Sequence, residues 1–186
     1  MAVNQATPIW LHDLQHGRRK AKERAFEAFL DAWHARLYSY IRRMMGNHED
    51  AADVTQETLI QIYRSAERFE GRSAFSTWAF SIASRKALDA LEKRNRQRTL
   101  DFDEAYPLAH AALAADVLFT GDEIERRLHA AVIALPPRQR QVFTLRYFEN
   151  LPFAAIAELT NLTEGSLKAS YHHAVKKITQ HVTVPA

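Results

Sequence analysis

Three sets of side chains in this chain have types and spacing suited to chemistry, and each points to a polyanion or a protein surface rather than to a small substrate. The first is Lys168, Ala169, His172, His173 and Lys176, which fall with Gly165 on one side of a helix at about 100° per residue. Small and cationic groups on one helical face suit entry into the major groove of duplex DNA. The second set joins Phe75 and Trp78 to Arg85, Lys86, Lys93 and Arg96 in one stretch. Rings followed by cations suit single-stranded nucleic acid, because bases stack on the rings and phosphates pair with the cations. Trp78 fits a helical interior as well. The third set places Asp53, Glu57, Ile60 and Arg64 at i, i+4, i+7 and i+11, a charged stripe interrupted by one apolar side chain. Such a stripe suits docking to a protein, although an isolated exposed isoleucine needs no explanation.

Catalytic chemistry finds little support. The nine histidines are scattered, and His172 and His173 are adjacent rather than one turn apart. Neither a His-Glu-x-x-His segment nor a phosphate-binding glycine loop occurs. The absence of cysteine excludes disulfides, thiolate catalysis and cysteine-ligated zinc. No metal, no cofactor and no enzymatic activity are therefore expected. With 186 residues, 47% of them hydrophobic, the chain can build one core or two small ones. A net charge of +3 and a pI of about 9.3 lean towards a polyanionic partner. The segment Met1–Gln5 has no basic lead into an apolar core, and no apolar run approaches the roughly 18 residues of a membrane span. No membrane insertion and a cytoplasmic location are the expectation.

The elements that must position these groups are helices. Between Leu135 and Ile178 the chain is punctuated as a helix-turn-helix. Phe153, Ile156, Ala157 and Thr160 recur at helical spacing, and Asn161 follows where a helix-ending residue enters the left-handed region. Thr163 can cap the next helix, with Glu164 against the positive end of its dipole. Leu167, Tyr171, Ala174 and Ile178 then form its buried face, which turns the set from Lys168 to Lys176 outward. A plain helical hairpin with a solvated basic face has the same periodicity.

Upstream, a short helix closes at Gly17, and a basic run follows at Arg18, Arg19, Lys20 and Lys22. Phe26, Leu30, Trp33, Leu37, Ile41 and Met44 mark one face of a helix of about twenty residues that ends at Gly46. A third helix, from about Glu49 to Ala66, places Ala52, Leu59, Ile62, Tyr63 and Ala66 loosely inward. Ser73 or Ser76 is expected to cap a long helix reaching about Arg96. Beyond Arg98 basic residues give way to acidic ones and periodicity weakens, which marks a boundary. Ile124, Leu128, Val132 and Leu135 share the face of the next helix, and Pro136 and Pro137 start the one after it. The expected fold class is all-α: two small helical domains, residues 1–98 and 124–186, joined by a flexible linker at 99–123.

Together these segments resemble the bacterial sigma factors of the extracytoplasmic-function group, the smallest members of the sigma-70 family. The resemblance runs from about Phe26 to Ile178 and is carried by Glu49-Asp50-Ala51-Ala52-Asp53-Val54-Thr55-Gln56-Glu57, by Arg68 to Trp78, and by Leu135-Pro136-Pro137-Arg138-Gln139-Arg140 through Tyr147-Phe148. It implies that the first domain is region 2, which binds core RNA polymerase and recognises and melts the minus-ten element. The second would be region 4, which reads the minus-thirty-five element and docks on the beta-subunit flap. Asp53, Gln56, Glu57, Ile60 and Tyr63 match the helix that grips the beta-prime clamp. Arg68, Phe69, Arg72, Ser73, Phe75, Ser76 and Trp78 match the segment that captures an unstacked minus-ten base. Arg85, Lys86 and Lys93 would hold phosphates of the non-template single strand. Thr163, Ser166, Lys168, Ala169, His172, His173 and Lys176 would meet duplex promoter DNA. An anti-sigma factor is a further implied partner.

This chain departs from the family at Pro152, where a polar cap is common, and at Ala169-Ser170 and His172-His173, where arginines are common. The second departure bears on which promoter sequence is preferred. A self-contained helix-turn-helix regulator is the alternative. It requires tight duplex binding without polymerase and leaves the stripe at Asp53 idle.

Overall fold

All regular structure among the described residues, 9–100 and 123–183 of the computed structural model, is helical. The helices are α1 (Ile9–His16), α2 (Arg19–Met45), α3 (His48–Ser65), α4 (Phe75–Leu100), α5 (Glu123–Ala134), α6 (Pro137–Tyr147), α7 (Phe153–Thr160) and α8 (Glu164–Thr183), with a 3₁₀ turn at Ala66–Arg68. Most boundaries have a local cause. Gly46 takes φ 85° and returns its N–H to the Arg42 carbonyl, which ends α2. Asn47 opens α3 by accepting the Asp50 N–H at 2.8 Å, with Glu49 and Asp50 in the first turn against the helix dipole. Pro137 begins α6 behind Pro136. Asn161, at φ 56°, ends α7, and the Thr163 hydroxyl accepts the Ser166 N–H at 3.2 Å as α8 begins.

Several expectations need correction. α2 starts at Arg19 and absorbs most of the basic run. Its interior side chains are Phe29, Trp33, Leu37, Tyr40, Ile41 and Met44, whereas Phe26 and Leu30 are only partly buried. α3 turns Ala51, Val54, Thr55, Thr58, Leu59 and Ile62 inward and leaves Ala52 exposed. Ser76 does not cap α4, because the helix begins at Phe75 and Ser76 lies buried in its first turn. Ile124 is 64% exposed, so α5 packs through Ala131 and Val132, with Leu135 just beyond its end. Of the expected linker at 99–123, residues 101–122 lie outside the described residues, whereas 99 and 100 belong to α4 and 123 begins α5.

Helices α1–α4 and α5–α8 pack against one another. A cluster of buried side chains runs from Phe29, Leu37, Phe80 and Leu91 in the first set to Val142, Leu145, Leu151, Ile156 and Leu167 in the second. A smaller cluster of Ala131, Val132, Leu135, Phe143, Ala174 and Ile178 belongs to the second set alone. Polar contacts tie the sets at the C-terminal half of α2. The buried Arg140 donates to the carbonyls of Met44, Ile133 and Leu135, so a cation satisfies one of the terminal carbonyls of α2. Glu149, after α6, accepts from Arg36 at 2.8 Å and pairs with Arg43 at 3.8 Å, while the Arg43 guanidinium lies 4.0 Å from the Phe148 ring centroid. The φ of Gly46 favours glycine, and a β-carbon there would also press on the Ile133 side chain of α5 at 3.2 Å.

Candidate nucleic-acid interface

Helix α8 separates its two faces cleanly. Leu167 and Ala174 are fully buried and Ile178 is 6% exposed, whereas Gly165, Ser166, Lys168, Ala169, His172, His173 and Lys176 are all exposed. Thr163 is also exposed, with its hydroxyl committed to the cap. Ser166 returns its own hydroxyl to the Thr163 carbonyl at 2.9 Å, so both side chains stabilise the start of the helix. Lys168 pairs with Glu164 at 3.3 Å and lies over the Phe153 ring of α7, which aims it along the first turn. The preceding helix, α7, begins behind Pro152 with no side-chain cap, as its sequence requires. The arrangement is a helix packed along one side, whose outward face carries cations, imidazoles and one methyl.

The second set of groups divides. Trp78 is partly buried, with Phe69 at 4.9 Å between ring centroids. Phe75 is 4% exposed, enclosed by Trp10, Trp33, Phe69 and Trp78. Phe75 and Ser76 are thus interior supports, not surface groups, which corrects the reading that continued the basic stripe through Phe75. Arg68, Arg72, Arg85 and Lys93 are exposed, and Ser73 is partly so. Gly71, at φ 69°, turns the loop between Phe69 and Ser73. Arg72 pairs with Glu70.

On α3 the stripe is confirmed as surface. Asp53, Gln56, Glu57 and Arg64 are exposed, and Ile60 and Tyr63 stand 42% and 40% exposed among them. Tyr63 also meets Phe26 edge-on at 4.7 Å, so its ring is anchored while its rim is open. Ile60 and Tyr63, three positions apart on α3, therefore place two large apolar side chains side by side on a face that is otherwise polar and charged. Glu57 reaches across to Lys86 of α4 at 2.9 Å. Asp50 likewise holds Arg94 at 2.8 Å, and Arg94 also donates to the Met45 carbonyl at the end of α2. Between α3 and α4 lies a cavity of about 570 Å³ whose wall includes Asp53, Glu57, Lys86, Asp89, Lys93 and Arg94.

Sequence reasoning missed Gln15, Arg36, Arg140 and Glu149, which join elements far apart in the chain. Only Arg140 left a trace, as an arginine where a helical projection of α6 turns inward between Pro137 and Val142. Among the described residues no group of three or more His, Cys, Asp or Glu is placed to hold a metal ion. No described helix is long and apolar enough to cross a membrane.

Comparison with known proteins matches this geometry to a family. The model of sigma-70 region 2 matches residues 29–97, and that of sigma-70 region 4 matches residues 125–178. The ECF RNA polymerase sigma factor SigX of Bacillus subtilis (strain 168) is 30% identical over 165 residues, covering 86% of this chain and 84% of the relative. SigW of the same organism is 27% identical over 162 residues, covering 83% of this chain and 87% of the relative. In fold, the chain is similar to the sigma factor RpoE solved in complex with the anti-sigma factor NepR from Bartonella quintana, with a TM-score of 0.73 and 19% identity over 87% of this chain and 98% of that one. A free-standing repressor is not favoured by these relatives. With helix-turn-helix, α3 stripe and both regional matches in one chain, the protein belongs to the ECF group of sigma-70-family sigma factors, the subunits that bind core RNA polymerase and direct promoter-specific initiation of transcription.

Proposed function

We propose that promoter recognition is divided between residues 1–98, acting as region 2, and residues 124–186, acting as region 4, with 99–123 as the linker. Asp53, Gln56, Glu57, Ile60 and Tyr63 dock on the beta-prime clamp. Arg68, Phe69, Arg72, Ser73 and Trp78 receive an unstacked minus-ten base, with Phe75 and Ser76 supporting them from below. Arg85, Lys86 and Lys93 hold the non-template strand, and the outward face of α8 enters the minus-thirty-five major groove while the rest of region 4 meets the beta flap. No catalytic step falls to this chain, it works in the cytoplasm, and an anti-sigma factor is its regulator. Support for a regulator comes from the fold, which is shared with sigma factors solved alongside such partners.

The observation that carries this reading is the exposure of Ile60 and Tyr63 within an otherwise charged stripe, a surface with no use in a self-contained DNA binder. The test is Asp53→Ala combined with Glu57→Ala. Affinity for core polymerase should fall while the melting curve stays within the roughly 0.5 kcal/mol typical of surface changes. Normal core binding, or an unfolded variant, refutes the assignment.

A consequence concerns the packing of α1–α4 on α5–α8. Promoter elements about 25 base pairs apart are separated by roughly 85 Å of duplex at 3.4 Å per step. A compact body of this size is only about 40 Å across. Residues 101–122 have a contour length of about 75 Å, so the units can part without breaking the chain. The closed packing is a resting arrangement, and simultaneous reading of both elements requires that it open.

A further inference from the structure

Helix α1 lies outside both matched regions, yet it is bonded to the segment that the proposed function assigns to base capture. Leu11 and Leu14 are 1% and 2% exposed, and Trp10 packs on Phe29 at 5.3 Å and edge-on against Phe75 at 5.0 Å. From this anchored helix the Gln15 side-chain amide reaches the 3₁₀ turn. Its nitrogen donates to the Ala66 carbonyl at 3.1 Å and to the Phe69 carbonyl at 2.7 Å. A carboxamide has two N–H groups, one for each carbonyl, so a single side chain spans the turn from its first residue to its exit. The turn's own bond, from the Phe69 N–H to the Ala66 carbonyl at 3.0 Å, closes the same four residues. A second tie, the ion pair of Lys22 with Glu67, fastens this turn to α2. Phe69 leaves the turn and packs tilted against Trp78 and edge-on against Phe75, so the register of the turn sets where the ring lies and where the exposed loop through Arg72 departs.

We propose that Gln15 is a positioning residue for minus-ten recognition: its amide fixes the 66–69 turn and thereby the geometry of the base-capturing loop. Trp10 and Leu14 hold α1 so that the amide arrives at a set distance. The inference rests on the reading of Arg68–Trp78 as the capture segment. Side-chain chemistry explains why glutamine is suited to the position. Glutamate is the same length but has no donors and would aim a carboxylate at two carbonyls, and asparagine is one methylene short of reaching both.

The test uses the full chain with core polymerase and three variants: Gln15→Met, which keeps length and removes the donors, Gln15→Lys, which restores donors, and Phe69→Ala within the loop. Open-complex formation is compared on a consensus minus-ten template and on single-base-substituted templates, alongside core affinity and binding of a minus-thirty-five duplex. Loss of two partly buried hydrogen bonds should lower the minus-ten discrimination ratio on the order of tenfold in Gln15→Met. Core affinity and duplex binding should stay within about twofold, and Gln15→Lys should regain part of the ratio. An unchanged ratio in Gln15→Met with a reduced one in Phe69→Ala overturns the role of Gln15 and leaves base capture standing. If neither variant alters the ratio, the capture reading fails and takes this inference with it. A parallel loss of core affinity in Gln15→Met, not regained by Gln15→Lys, assigns α1 to general support of the fold and also overturns the proposal.

Discussion

Glu149 is the contact at which the closed arrangement can be tested most directly. Its carboxylate is 6% exposed and faces two guanidinium groups of α2: Arg36 at 2.8 Å and Arg43 at 3.8 Å, themselves 34% and 20% exposed. Removing one member of a buried ionic cluster typically costs about 3–5 kcal/mol, because the partners remain desolvated and unpaired. Arg36 is one-third exposed and keeps the Trp33 and Phe80 rings at 5.1 Å, so it recovers part of its hydration and the loss falls to about 2–3 kcal/mol. For Glu149→Ala that shifts the closed-to-open ratio roughly 30- to 150-fold at 1.4 kcal/mol per decade. Glu149→Gln keeps an acceptor for Arg36 and loses only the charge, so its shift should be smaller. The absence of native cysteine makes the assay clean: Glu27→Cys and Gln180→Cys, both at exposed positions in different sets of helices, take a dye pair. Energy transfer should fall in the order wild type, Glu149→Gln, Glu149→Ala, with helix content unchanged. Equal transfer in all three, or a loss of helix that accompanies the fall, refutes the idea that this cluster holds two separable units together.

The remaining predictions concern other parts of the molecule. Lys168→Ala should weaken binding to every promoter, since an ammonium on this face contributes mostly through phosphates, whereas Ala169→Arg should change the preferred upstream bases by adding a side chain able to grip guanine in two places. Selection on randomised upstream elements decides; identical sequences enriched by wild type and Ala169→Arg remove α8 from the reading role. His129, stacked on Phe148, is pushed down to about 4 by burial and by the charges of Arg43 and Arg42. A base whose folded pKa is depressed binds more protons once released, so the closed packing should be at full strength above about pH 6.5 and weaken as pH falls from there towards 4. His129→Phe should flatten that part of the energy-transfer titration, and an unaltered titration contradicts the argument.

Which features were legible in the sequence follows from how far apart the deciding residues lie. Gly46, Asn47, Asn161 and Thr163 act on backbone groups within a few positions of themselves, and each boundary they mark was anticipated closely. The two faces of α8 were equally plain, because only one side of that helix is covered. α2 was harder: α1, α3, α4, α5 and α6 all contact it, so its buried surface spreads past a single stripe and takes in Phe29 and Tyr40. Tyr40 is wholly buried and gives its hydroxyl a partner in Ser84 at 2.6 Å. Phe75 and Trp78 share a helical side by periodicity, but Trp10 and Phe69 close over the first and leave the second partly open. Pairings such as Arg36 with Glu149, separated by 113 positions, leave no periodic trace at all.

The pair of Glu57 with Lys86 belongs to that last class and joins two proposed surfaces that lie apart in the sequence. Glu57 stands on the stripe proposed to dock on polymerase, and Lys86 among the cations proposed for the non-template strand, 2.9 Å away. While they hold each other, neither is fully available to an outside partner. Docking that engages Glu57 must release Lys86, and by reciprocity a phosphate that engages Lys86 must free Glu57. Both groups are accessible, at 33% for the lysine and 63% for the glutamate, and exposed pairs contribute up to about 1 kcal/mol, so the coupling cannot exceed about fivefold. Glu57→Gln should therefore raise the affinity of the free chain for a minus-ten single strand by no more than that factor while lowering affinity for core polymerase. In the Lys86→Ala background the same substitution should leave strand affinity unchanged. A gain in strand affinity that persists without Lys86 traces the effect to general loss of negative charge and excludes the pair as the link.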